Sequence, residues 1–287
     1  MSVLSYFMGT ESNKVTHWFA KSFSFNKAKA NKGRVYLIGA GPGDPELITV
    51  KAQRLIESAD VILYDWLVSV ELLRTLPENA QRVFVGKRAN KHSMQQAEIS
   101  KLLVKYAQQG HTVVRLKGGD PSIFARVNEE ADALAEHNIP FAIVPGVTTA
   151  CAASAYTGIP LTARGVARSV TFMTAQFADP KQQPKWQNYQ YLSNQDNPTL
   201  VVYMGLGRLQ QLSQGLQSVG WPATTPIALL EQVTTTSQQV IRGTLENITQ
   251  KSTAAKLTGP TLIMIGEVIN HQMAVEQQLL NITATQV

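Results

Sequence analysis

The residues in this sequence best suited to moving a proton are Asp65 and Lys87. Asp65 closes the apolar run Val61 to Tyr64 (VILY), and Lys87 follows Arg82 to Val85 in the run GKR. A carboxylate at a strand end can serve as a general base. An ammonium nearby can pair with it or with an anionic substrate. The alternative reading of the two is a structural ion pair. Three loops stand ready to hold a ligand beside them: GAGPGDP (Gly39 to Pro45), KGGDP (Lys117 to Pro121) and PGVTT (Pro145 to Thr149). Each follows an apolar run. Glycine lacks Cβ, so such loops can approach a ligand with bare backbone. Asp44-Pro45 also reads as a helix start, with Asp as cap and Pro in the first turn. Thr148 and Thr149 offer hydroxyls that cap a helix or bond a ligand.

The chemistry of the first loop narrows the ligand. A nicotinamide dinucleotide is one candidate, because Asp65 stands where such a site puts its ribose-binding acid. Yet Asp44 takes the place of the third glycine of G-x-G-x-x-G. Pro42 and Pro45 each withhold an amide donor, and a carboxylate at a helix N-terminus repels a diphosphate. A ligand without phosphate fits the loop better.

Strand and helix patterns alternate around these loops. Strands are expected at Val35 to Ile38, Val61 to Tyr64, Arg82 to Val85, Thr112 to Leu116 and Phe141 to Val144. Helices are expected from Asp44, at Glu98 to Gln108 and at Asn128 to His137. That order predicts a mostly parallel sheet whose loops open on one edge. Beyond residue 147 comes a helix of very small residues, Thr148 to Tyr156, suited to close packing. Strands follow at Val170 to Thr174, Thr199 to Met204, Ile227 to Leu230, Gln239 to Gly243 and Leu262 to Val268. Helices are placed at Arg208 to Val219 and at the chain end, and Asp179 to Asn197 reads as a loop. The predicted fold class is α/β, with a mostly parallel α/β domain followed by a second α/β domain of more antiparallel pairing. The predicted divisions are a basic, flexible extension over 1–33, domains over 34–146 and 147–275, and a tail over 276–287.

Composition excludes several functions. The net charge of +6 sits mainly in residues 1–34, where six Lys and Arg face Glu11 alone. The remainder is nearly neutral, which argues against nucleic acid as a partner. No apolar run reaches the roughly 18 residues of a membrane span. Cys151 is the single cysteine, so internal disulfides and cysteine metal sites are excluded, and a cytoplasmic location is expected. Its small-residue surroundings predict a packed helix face. No metal site is expected.

Longer stretches carry a resemblance. VYLIGAGPGDPELITVKA, ADVILYDWLVS, VFVGKRANKHSMQQAEI, VVRLKGGDP, IPFAIVPGVTTACAASAYTGIPLT and LVVYMGL resemble the tetrapyrrole methylase family, in the family's order and spacing over roughly residues 34–270. YD-x-LVS and GKRA point toward the uroporphyrinogen-III C-methyltransferases within it. The resemblance implies two α/β domains, S-adenosyl-L-methionine in the cleft between them, and a homodimer. It implies cofactor contacts from Pro42, Gly118, Gly119, Asp120, Ile123, Thr148, Thr149 and Met204, and from Val233 at a position where the family has glycine. Asp65 would be the proton acceptor and Lys87 the donor. Two methyl transfers would convert uroporphyrinogen III to precorrin-2, for sirohaem or cobalamin synthesis. Arg88, Lys91, His92 and Arg164 would meet the substrate's carboxylates. The sequence departs from the family pattern at Trp66, Ser122, Ala125 to Glu130, Ala163, Thr174 to Gln176 and Gln232-Val233. Those departures leave open a methyltransferase on another precorrin, or a catalytically weakened tetrapyrrole-binding homologue.

Overall fold

The computed structural model describes residues 33–86, 94–177, 179, 182–192, 197–276 and 279–280. The extension over 1–32, the helix expected at the chain end beyond residue 280, and the segment with Lys87, Arg88, Lys91 and His92 lie outside the described residues. Two five-stranded sheets organise the rest.

The first sheet is wholly parallel, in the order β3-β2-β4-β1-β5. Its strands are β1 (Arg34–Gly39), β2 (Val61–Tyr64), β3 (Gln81–Phe84), β4 (Thr112–Lys117) and β5 (Phe141–Val144). The inner strands are continuous apolar runs because both sheet faces are covered. Helices α1 (Val50–Glu57) and α2 (Val70–Arg74) pack on one face, with Ile56 and Leu72 against Ile38, Val114 and Leu116. Helices α3 (Gln96–Gln108) and α4 (Val127–Glu136) cover the other, with Leu103 and Leu134 against Val35, Leu37 and Val113. The helices after the neighbouring strands β1 and β4 therefore leave on opposite faces. The loops that follow those strands nevertheless stay joined at the sheet edge, through a bridge between Gly41 and Gly119.

The helix expected from Asp44 begins later. Asp44 caps a single 3-10 turn, Pro45–Leu47, by accepting the Glu46 amide at 2.8 Å. Ile48 and Thr49 then return to extended backbone, and the Thr49 hydroxyl caps α1 instead. Helix α3 starts two residues earlier than its apolar spacing suggests, because Gln95 and Glu98 form a capping box.

Helix α5 (Thr149–Thr157) leads into the second sheet, of order β6-β7-β10-β8-β9. It comprises β6 (Val170–Thr174), β7 (Thr199–Tyr203), β8 (Pro226–Glu231), β9 (Gln239–Thr244) and β10 (Thr261–Ile265). Only β6 and β7 pair in parallel; the other pairings are antiparallel. The small residues of α5 serve as expected: Ala150, Ala152 and Ala153 let the helix lie close on Val201, Ala228 and Leu230. Cys151 faces outward and is exposed, contrary to the expected packed setting. Helices α6 (Leu209–Ser218) and α7 (Ile248–Ala255) cover the opposite face. Burying each large aliphatic side chain there contributes about 1.5–3 kcal/mol. Helix α7 escaped the sequence reading because ITQKSTAA has no clear apolar stripe; Ile248 is its one buried residue. Among the described residues no helix is long and apolar enough to cross a membrane, and no group of metal-ligating side chains occurs.

Candidate active site

The loops after β1, β4 and β5 meet at the carboxyl edge of the parallel sheet. Gly41 and Gly119 exchange backbone hydrogen bonds, at 3.2 and 2.7 Å. A Cβ on Gly39 would stand 2.6 Å from both the Gly119 carbonyl oxygen and the Gly146 nitrogen. A Cβ on Gly146 would stand 2.5 Å from the same carbonyl. The three loops touch backbone to backbone, which only glycine allows at 39 and 146. Asp120 braces the junction: one oxygen accepts the Ser122 amide at 2.8 Å, the other the Gly146 amide at 3.0 Å. Ile123, half-buried, closes this turn by donating its amide to the Asp120 carbonyl at 3.2 Å.

The second sheet supplies the other wall. The Tyr203 hydroxyl lies 2.8 Å from the Thr148 hydroxyl and accepts the Ala150 amide at 3.3 Å. Burial pushes this phenol's pKa up. Tyr203 also packs on Phe124, ring centres 5.1 Å apart. Met204 follows in a left-handed conformation with its side chain exposed, and Thr149 sits beside Gly119. The β1 loop is held from the same side. The Asp44 amide donates to the Thr234 hydroxyl at 2.9 Å, and the Tyr156 hydroxyl donates to the Asp44 carboxylate. Burial, and then Asp44 itself, raises the Tyr156 pKa. Asp44 thus spends its oxygens on the Glu46 amide and Tyr156, so its role is to shape the loop. Val233 is buried among Ala150, Ala153 and Leu230, while its carbonyl turns toward Gly43, 3.2 Å from where a Cβ would be.

Asp65 stands at the same edge, at the end of β2. One carboxylate oxygen accepts the Leu67 amide at 3.0 Å; the other accepts from Arg115 at 3.0 Å. Leu67 in turn lies against Gly118, whose Cβ would fall 2.5 Å from Leu67 Cβ. This links the acid to the KGGDP loop. Trp66 and Leu67, which follow Asp65 in the chain, stay exposed, as do Phe124 and Met204 beside Tyr203. Behind Asp65 lies a buried charge cluster that the motifs did not announce. Arg115 reaches Glu130 at 3.3 Å, and the Lys117 ammonium meets both Glu130 oxygens at 2.9 Å. Burial lowers the Lys117 pKa, and Arg115 lowers it further. The available signal was Arg115 and Lys117 two residues apart on an interior strand, which puts two cations on one covered face and demands an acid above them. Arg164 sits exposed in the turn closed by the Ala163–Ala167 bridge.

The sequence profile of the tetrapyrrole (corrin/porphyrin) methylases matches residues 34–249. The chain belongs to the tetrapyrrole methylases. It is 45% identical over 253 residues to the sirohaem synthase of Nitrosospira multiformis, covering 88% of this chain and 53% of that protein. The sirohaem synthase of Acinetobacter baylyi is 48% identical over 241 residues, covering 84% of this chain and 52% of that one. The chain therefore spans about half the length of the curated relatives it matches. Among solved structures, uroporphyrin-III C-methyl transferase from Thermus thermophilus, complexed with S-adenyl homocysteine, is 37% identical with a TM-score of 0.72, over 83% of this chain and all of that one. The cobalt precorrin-4 methyltransferase CbiF is 25% identical with a TM-score of 0.71, over 82% of this chain and 95% of that one.

Proposed function

We propose that this tetrapyrrole methylase is an S-adenosyl-L-methionine-dependent C-methyltransferase that converts uroporphyrinogen III to precorrin-2 by two methylations. The observation that carries the reading is the meeting of three glycine loops and Asp65 at one sheet edge. The residues there suit this cofactor. The edge brings together the backbone of Gly118, Gly119 and Gly146 and the hydroxyls of Thr148 and Thr149, and residues 118–121 and 145–149 carry no Lys or Arg to cradle a phosphate. A sulfonium nucleoside needs none.

When bound, the cofactor supplies an electrophilic methyl group. Pro42, Gly118, Gly119, Asp120, Ile123, Thr148, Thr149, Met204 and Val233 would hold and orient it. A porphyrinogen pyrrole carbon is itself the nucleophile, so the protein's work is alignment and proton removal. Asp65 takes the proton as general base. Lys87 returns one as donor. The exposed apolar side chains of Trp66 and Leu67 offer a flat-faced macrocycle a place to rest beside the acid. Arg88, Lys91, His92 and Arg164 answer its carboxylates. We further infer two domains divided near residue 146, each built on one sheet, working in the cytoplasm as a homodimer. The likeness to CbiF supports one second reading, a methyltransferase on another precorrin.

Transfer of a labelled methyl from the cofactor to enzymatically prepared uroporphyrinogen III tests the proposal. Two labels per macrocycle are expected. Label entering only a later precorrin favours the second reading, and cofactor binding without transfer to any tetrapyrrole contradicts both. Light scattering on the eluting protein checks the dimer.

A further inference from the structure

Asp65 is the open end of a chain of charges that runs back into the protein. Its side chain is 22% exposed, whereas those of Arg115, Glu130 and Lys117 behind it are 4%, 0% and 4% exposed. The Arg115 guanidinium is fixed on three nitrogens. Nη2 donates to Asp65, Nε to Glu130 and Nη1 to the Leu116 carbonyl. A planar fork held this way has no torsional freedom left, so the Asp65 oxygen it meets is fixed too. Glu130 anchors the fork. It accepts from Arg115, from Lys117 with both oxygens, and from Gln96 of α3 at 3.0 Å. The cluster balances two cations with two carboxylates, one of them at the sheet edge. A purely structural Glu130–Lys117 pair would not need Arg115 to extend to the surface acid.

We propose that Glu130 is a positioning residue for methyl transfer: acting through Arg115, it sets the face that Asp65 turns to the substrate and takes no part in holding the cofactor. The inference rests on Asp65 being the base. Removing Glu130 alone takes the carboxylate from buried Lys117 and leaves Arg115 with Asp65 alone, so the loss of fold and the loss of positioning would mix. The double variant Glu130→Gln/Lys117→Met removes one charge of each sign. It leaves Arg115 and Asp65 in place while taking away the carboxylate anchor.

The experiment measures four quantities on the full chain: kcat and KM with uroporphyrinogen III, the cofactor Kd by calorimetry, and Tm. The double variant is expected to bind cofactor within about twofold of wild type and to lose about 30-fold in kcat, the scale of a sub-ångström misplacement of a reacting group. Glu130→Asp keeps the charge but shortens the reach, and should show the same pattern with a smaller loss. Turnover at the wild-type level in either folded variant overturns the proposal. So does a kcat that recovers in step with Tm, since that marks a merely structural role. Asp65→Asn separates the two failures. If it turns over normally, the base assignment is wrong. If it is dead while the double variant is fully active, only the positioning role is wrong.

Discussion

The two sheets bury charge in different ways. In the parallel sheet Arg115, Lys117 and Glu130 are buried together and end on Asp65 at the carboxyl edge. In the mixed sheet Glu231 is as deeply buried, but among the described residues its hydrogen bonds come from backbone amides, those of Thr258 and Gly259. The first arrangement is a side-chain network that ends on a partly exposed acid. The second is a local cap that ties the α7–β10 turn to β8. Topology explains the contrast. A parallel sheet sends every strand-to-helix loop to one edge, so acid, glycines and hydroxyls gather there. Antiparallel strands alternate direction and scatter their loops, so the second half contributes walls and clamps such as Tyr203, Tyr156 and Thr234.

Substitutions sharpen that contrast. The largest effect is expected at Gly146. Alanine there would set a Cβ 2.5 Å from the Gly119 carbonyl, so backbone must shift where three loops meet. We expect kcat/KM to fall about 100-fold, carried mostly by cofactor affinity, as read by steady-state kinetics and calorimetry. Unchanged cofactor binding would mean the glycine junction is not the cofactor site. In the second sheet, Leu229→Ala opens a cavity in a fully buried position of β8. It should cost about 2–5 kcal/mol in denaturant unfolding, with specific activity of the folded protein kept.

Glu231→Leu leaves two amides unpaired and should cost about 1–3 kcal/mol, again without a change in kcat. A fall in kcat there would erase the distinction between the two buried acids. The smallest effect is expected for Tyr156→Phe, about 1 kcal/mol at neutral pH. Its pKa is raised above the ordinary 10.0. The folded protein therefore holds that proton when the unfolded chain has lost it. The contribution is complete below pH 10.0 and is lost as pH climbs toward the raised value. The stability gap between wild type and the Phe variant should shrink above that pH, as unfolding curves across the alkaline range will show.

Much of this was legible from residues near one another in sequence. Val61–Tyr64 and Phe141–Val144 are strands end to end as their apolar runs suggest. The Gly-Asp-Pro loops follow strands and face one edge. Local signals failed where two caps competed: Asp44 and Thr49 both look like helix starts, and the chain uses one for a 3-10 turn and the other for α1. The charge cluster was hidden for a different reason. Arg115 meets Asp65 across 50 positions and Glu130 across 15, so no spacing rule connects them. Cys151 was misplaced because a helix of small residues still has an outer side.

The central claim is that glycine loops hold the cofactor while Asp65 handles the proton. Single-turnover methyl transfer by Asp65→Asn at saturating cofactor tests it most directly. The expected rate is lower by about 10²–10⁴-fold, with cofactor Kd within about twofold of wild type, since the glycine loops are untouched. A variant that transfers methyl at the wild-type rate, or one that fails to bind cofactor at all, contradicts it.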